Sequence, residues 1–410
     1  MRIVDVETFV VANPRPDLGG PYFVFVKLTT DDGIVGYGEH YGATFRPPVV
    51  EAMLEDLAGA LLIGRDPFLI ERFCRSAYGR GFTARPDVTL GGAISALEMA
   101  CWDIVGKAVD KPVHALLGGR VRDAVRSYTY IYDEPGIEGD AVYRDPELAA
   151  RRAAGSNLRA VKPFATYPAG PYSSMGGYQP LLERIELSVR FCSAIREAVG
   201  TDADILFGTH GQFTPAGAIR LAARLEPYDP LWFEEPVPPD DVEGMAMVRR
   251  HTSIPIAAGE RLTGKVEFAR LLAASAVDIV QPDLGRCGGL LEGKKIAAIA
   301  EVHGAQIAPH CYCGPIVAAA NLQLAACSPN FLILEAIEDW GGFHAELLKT
   351  PLRFENGCTV VPTAPGLGVE LDEEVLAANR YKGDRLHIEM VDETVDHNDP
   401  RWTGRRSRPG

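Results

Sequence analysis

The chain opens with apolar and polar side chains in alternation. "RIVDVETFVV" from Arg2, "YFVFVKLTT" from Tyr22 and "GIVGYGEH" from Gly33 read as three strands. Asp31-Asp32-Gly33 marks a hairpin turn between the last two. The period then lengthens. "PPVVEAMLEDLAGALLIG" and "GGAISALEMACWDIVGKAV" read as helices, and the second sets Ile94, Leu97, Ala100, Cys101 and Ile104 on one face. Residues 1–124 are therefore expected to form an α+β domain.

From residue 126 short apolar strands alternate with helices. The strands are "RSYTYIY" (from Arg126), "LRAVKPF" (Leu158), "DILFGTH" (Asp204), "LWFEEP" (Leu231), "IPIAAGE" (Ile254), "VDIVQPD" (Val277), "AQIAPHC" (Ala305) and "FLILEAIED" (Phe331). Helical stretches such as "PAGAIRLAARLE" and "GLLEGKKIAAIAEVHG" lie between them. Strands of near-continuous hydrophobicity, each followed by a helix, predict a parallel sheet, and eight of them predict a closed (β/α)8-type barrel over 125–350. The Gly/Pro/Ser/Tyr-rich insertion Tyr167–Pro180 reads as a flap or a bystander loop at the rim. Residues 351–390 read as strands and turns returning to the first domain, and 391–410 as a polar tail.

Composition narrows the class. The net charge of -14 argues against a nucleic-acid face, while a local metal or lysine can still hold an anionic substrate. No signal peptide and no apolar run long enough to span a bilayer are read, so no membrane partner is expected. Eight cysteines without a framework suggest buried thiols in a reducing, cytoplasmic setting. Cys311 and Cys313 lack a second pair at zinc-finger spacing, which sets structural zinc aside.

The chemistry collects where the strands end. Lys162, His210, Glu234-Glu235, Glu260, Asp283, His310, Glu335 and Glu338 follow the C-terminal ends of seven consecutive strands, the face where barrel active sites are built. Glu234 and Glu260, from adjacent strands, could share a hard cation such as Mg2+. Asp283 could fix the tautomer of His310 and raise its basicity. A metal with general bases suits proton abstraction beside a carboxylate, because the developing enediolate needs a fixed positive charge.

"TLGGAISALEMACWDIVGKAVDKPVHALLGG", "LWFEEP", "IPIAAGERL", "VQPDLGRCGGLLEGKKIAAIAEVHG" and "APHCYCGP" together resemble the mandelate racemase branch of the enolase superfamily, over residues 2 to 370. The resemblance implies an α/β fold: a modified (β/α)7β TIM-type barrel with an α+β capping domain made from both termini. It implies Mg2+, with Mn2+ or another divalent ion as alternatives, on Glu234 and Glu260. It implies an Asp283–His310 base dyad, and Glu335 as the acid that binds the substrate carboxylate. It implies a small-molecule sugar-acid substrate and a homo-oligomer.

Two positions depart from the family pattern. The second strand ends Lys162-Pro163-Phe164 rather than Lys-x-Lys, so the opposed base is missing and Lys162 is left to bind substrate. Gly208 stands where the first metal-ligating aspartate is usual, with His210 two residues on. His210 then has two readings: the general acid that protonates a departing hydroxide, as in galactonate dehydratases, or a metal ligand in place of the aspartate, better suited to Mn2+, Fe2+ or Zn2+. His40 and Arg46 of the cap are candidate substrate contacts, Arg46 equally a surface residue. The expected activity is sugar-acid dehydration. A cycloisomerase or racemase of the same branch is the alternative, and a non-catalytic sugar-acid-binding relative the further one.

Overall fold

The computed structural model describes residues 1–42, 45–82, 85, 87–133, 141–143, 145–156, 160–162 and 179–388. Phe164, most of the rim insertion and the polar tail lie outside the described residues. In chain order the elements are β1 (Ile3–Ala12), β2 (Tyr22–Thr30), β3 (Val35–His40), α1 (Pro47–Leu61), α2 (Ile70–Tyr78), α3 (Val88–Ala108), α4 (Val113–Leu116), β4 (Ala124–Tyr130), α5 (Pro146–Ala154), β5 (Ala160–Lys162), α6 (Leu182–Val199), β6 (Asp204–Gly208), α7 (Pro215–Leu225), β7 (Trp232–Glu234), α8 (Val242–Arg250), β8 (Ile256–Ala258), α9 (Gly264–Ala273), β9 (Ile279–Val280), α10 (Leu290–Val302), β10 (Gln306–Ile307), α11 (Pro315–Ala326), β11 (Leu334–Glu335), α12 (Gly342–Glu346), β12 (Phe354–Glu355), β13 (Cys358–Val360) and α13 (Glu373–Ala378). All eight anticipated barrel strands are present, all but β4 shorter than the apolar run that announced them.

The chain forms two compact units. One holds residues 1–126, 260–269 and 281–388; the other holds 127–259 and 270–280.

In the first unit β1, β2 and β3 form an antiparallel meander. Its hairpin closes at Gly33, φ 83°, while Thr30 Oγ1 donates to Asp32. Helix α3, started by Asp87, which accepts from the amides of Thr89 and Leu90, packs under β3. The approach is so close that a Cβ on Gly38 would stand 1.8 Å from the Ala96 carbonyl, so only glycine fits. By length and composition alone α3 is apolar enough to cross a bilayer, but 83% of that stretch is buried inside the fold. It is buried all round rather than on the one anticipated face, as the core helix of the meander.

Three buried carboxylates tie this α+β part to later segments of the same unit. Asp103 accepts from the amides of Tyr37 and Leu367. Glu98 accepts from Leu290 and Leu291 at the start of α10. Glu39 accepts from Gly314, Ile316 and Val317 at the start of α11. Carboxylates at helix N-termini satisfy orphan amides and complement the helix dipole. The C-terminal segment divides its attachments. The β12–β13 hairpin pairs with residues 124–126 of β4, and Tyr381 returns to β1 through Val10.

In the second unit β4, β5, β6, β7, β8 and β9 pair in sequence, all parallel. The register sets Tyr130 beside Lys162, Gly208 beside Glu234, and Glu234 beside Ala257.

Candidate active site

The first unit builds a constellation around His310. Its Nδ1 lies 2.5 Å from Asp283 Oδ2, and Asp283 Oδ1 accepts from the Gly285 amide at 2.7 Å. The aspartate is thereby fixed from its own loop, and Nδ1–H donates to it, leaving Nε2 as the working atom. Nε2 stands 3.3 Å from Glu260 Oε2 and 3.6 Å from Glu335 Oε2. Glu335 also accepts the Cys311 amide at 2.9 Å, which locks the backbone just past the histidine. Burial pulls the imidazole pKa down, but Glu335, Glu260 and Asp283 outweigh it and raise it to about 9.

Cap residues reach this histidine. The Tyr41 ring lies 5.6 Å from the His310 ring, and its amide bonds the Gly285 carbonyl. His40, its neighbour, turns instead to the start of α3, with Nε2 3.3 Å from the Thr89 carbonyl. Burial first of all lowers the His40 pKa to about 4. Arg46 is exposed and pairs with Asp384.

The second unit builds a constellation around Glu234. Lys162 Nζ donates to Glu234 Oε1 at 2.6 Å, and Trp232 Nε1 to Glu234 Oε2 at 3.1 Å. The ammonium lies 4.7 Å from the centre of the Tyr130 ring, so it is held by a charge and an aromatic face together. Beyond Gly208 the chain turns sharply. Thr209 bonds the carbonyls of Glu234 and Glu235, Gly211 bonds that of Glu235, and His210 adopts a left-handed φ of 49° between them. The flanking glycine and the lock onto the end of β7 present the half-buried imidazole at the strand ends. Glu235 is fully buried and Glu338 exposed.

Oxygen-donor chemistry suits a divalent cation here. Glu234 already carries a positive group, the Lys162 ammonium, and a Cβ built on Gly208 would sit 3.4 Å from Glu234 Cβ, in ordinary contact. Among the described residues no three His, Cys, Asp or Glu side chains are grouped as a ready-made metal site. The bare Cβ position at Gly208 is the physical reason the usual carboxylate count is short.

Sequence reading missed Arg286 and His387. Arg286 lies three residues past Asp283, and following the rim a turn beyond each strand end would have found it. His387, packed edge-on to Tyr41 at 5.1 Å, sits in a polar stretch with no signal of its own.

Two family models match. "Mandelate racemase / muconate lactonizing enzyme, N-terminal domain" covers residues 15–118, and "Enolase C-terminal domain-like" covers 146–375. The D-galactonate dehydratase of Klebsiella pneumoniae (strain 342) is 36% identical over 391 residues, 93% of this chain and 94% of its own. The D-xylonate dehydratase of Haloferax volcanii is 33% identical over 403 residues, 95% and 96% of the two chains. A crystal structure described as a mandelate racemase/muconate lactonizing enzyme from Labrenzia alexandrii DFL-11 superposes with a TM-score of 0.91 at 57% identity, over 95% of this chain and 100% of the other. These likenesses carry the fold class anticipated from the sequence: a capping domain and a TIM-type barrel.

Proposed function

The chain belongs to the mandelate racemase/muconate lactonizing enzyme branch of the enolase superfamily, and on that premise we propose that it is a metal-dependent hydro-lyase that removes water from a sugar acid. The relatives named as D-galactonate and D-xylonate dehydratases support the reaction type. The observation that carries the reading is the dyad: a buried imidazole oriented by Asp283 at 2.5 Å, with Nε2 directed at carboxylates rather than at solvent.

In this reading His310 Nε2 takes the proton alpha to the substrate carboxylate, and Asp283 stabilises the imidazolium that results. By the family pattern, a divalent cation held by Glu234 and Glu260 would supply fixed positive charge to the enediolate and offset the carboxylates beside His310. Lys162 and Glu335 bind the substrate's carboxylate end. His210 gives a proton to the leaving 3-hydroxyl, and the resulting enol tautomerises to a 2-keto-3-deoxy acid.

Proton NMR in D2O tests the scheme. The protein is incubated with pooled aldonic and aldaric acids, with Mg2+ and with chelator. Loss of water to a keto-deoxy acid, dependent on metal and abolished by His310→Asn, is expected. Deuterium entering the alpha position without loss of water would replace dehydration with isomerisation.

A further inference from the structure

Arg286 is 8% exposed, and among the described residues its guanidinium has no ion-pair partner. Its NH1 donates to the backbone carbonyl of Glu260 at 3.2 Å, and its Cζ lies 4.1 Å from the centre of the Tyr41 ring. Among the described residues its buried Nε has no hydrogen-bond partner, and no carboxylate forms an ion pair with it. The nearby Asp283 carboxylate is committed to His310 and to the Gly285 amide.

The chain packs closely around the guanidinium. Gly42, at φ +58°, has no side chain, and a Cβ there would come within 2.1 Å of the Arg286 NH2. His40 and His387 stay neutral: burial first, and then the repulsion of Arg286 among other effects, lower their pKa values to about 4 and about 3. Tyr41 stays a phenol, since burial raises its pKa well above the ordinary value. A buried guanidinium without an anion is costly, and its planar fork suits a carboxylate held by two parallel bonds. The same Tyr41 ring packs on both this guanidinium and the His310 imidazole, so this charge lies one aromatic ring from the base.

We propose that Arg286 receives the carboxylate at the far end of the substrate, so that the sugar acid is an aldaric diacid rather than an aldonic monoacid. This rests on the dehydratase reading above. The carboxylate beside the reacting carbon goes to Glu335, and the distal one goes to Arg286 beside Tyr41 and Gly42. Relatives named for monoacids would differ at this end of the substrate and share the chemistry at the other.

The test measures kcat/KM on configuration-matched pairs, galactarate with galactonate, glucarate with gluconate and mannarate with mannonate, in the wild type, Arg286→Met and Arg286→Lys. The wild type is expected to prefer one diacid over its monoacid by about a hundredfold, mainly through KM. Arg286→Met should collapse that ratio toward one, and Arg286→Lys should keep part of it. A folding defect would lower both members of a pair alike and leave the ratio standing, so the ratio reads recognition. Equal turnover of monoacid and diacid by the wild type, or a ratio unchanged in Arg286→Met, would overturn the inference while dehydration stands. No dehydration of any member by the wild type would overturn the dehydratase reading and the inference with it.

Discussion

At the scale of single residues, the pair Lys162–Glu234 and the glycine beside it set how the site handles positive charge. The two side chains are 1% and 2% exposed, so each depends on the other for the cost of its burial. Lys162→Met strands a buried carboxylate and should cost about 3–5 kcal/mol, read as a lower Tm with a two-state transition retained. Gly208 makes the opposite prediction. Its φ is not left-handed, and a Cβ there meets Glu234 Cβ and Lys162 Cε at 3.4 Å, so a side chain fits. Gly208→Asp adds a carboxylate beside Glu234 and should bind Mg2+ on the order of tenfold more tightly by titration calorimetry. Unchanged affinity would mean that the Lys162 ammonium, not the missing acid, governs the local field.

At the scale of elements, the loops that carry Asp283, Arg286 and His310 are held by carboxylates of the cap. Glu98 sits at the start of α10 and Glu39 at the start of α11, the helices that follow those loops. Burial pushes the Glu39 pKa up to about 8, against the three amides that pull it down. Near neutral pH its carboxyl is therefore close to its neutral form. Glu39→Gln keeps the shape but turns an NH2 against at least one of the amides, so it should keep only part of the stability. Glu39→Ala leaves buried amides without partners and should cost at least about 3 kcal/mol, measured by urea unfolding. Turnover should fall with it, because the backbone between His310 and Gly314 loses its anchor. If the alanine variant proved as stable and active as the glutamine one, the capping account would be wrong.

At the scale of the whole molecule, acid stability offers a clean readout. His344 is buried, with Nε2 3.2 Å from the Cys313 carbonyl and its ring against Phe23 and Trp340. Burial is the main cause that lowers its pKa from 6.5 to about 4, and the Cys313 carbonyl opposes it weakly. The folded state thus holds His344 neutral where the unfolded chain binds a proton. Its contribution is intact above pH 6.5 and is lost as pH falls toward 4, up to about 3 kcal/mol. His344→Phe should flatten the fall in Tm over that window. A slope identical to the wild type's would assign the acid sensitivity to other groups. Chelation gives the second global readout: removing divalent cations should abolish dehydration while leaving far-UV circular dichroism unchanged, since the fold rests on apolar packing and not on the ion.

The sequence by itself determined the eight strand–helix repeats, because strand hydrophobicity and turn chemistry are local properties. It determined the side chains at the strand ends, since parallel strands put all those ends on one face and the chain records each in order. His310 with Asp283 was legible on that ground, while the Lys162–Glu234 ion pair was not, since Lys162 was read as a substrate contact and Glu234 as a partner of Glu260. Only the tertiary structure decided the rest. The burial of α3 on every side depends on what packs around it, and a one-face pattern cannot report that. The seating of Tyr41 rather than His40 on the His310 ring depends on how β3 ends against the Gly285 loop, where one residue of register exchanges the two side chains. The lack of an ion-pair partner for Arg286 among the described residues is a property of its neighbours in space. Those neighbours come from residues 40–42, 260 and 387, which no local pattern connects, and only the folded chain brings them around one guanidinium.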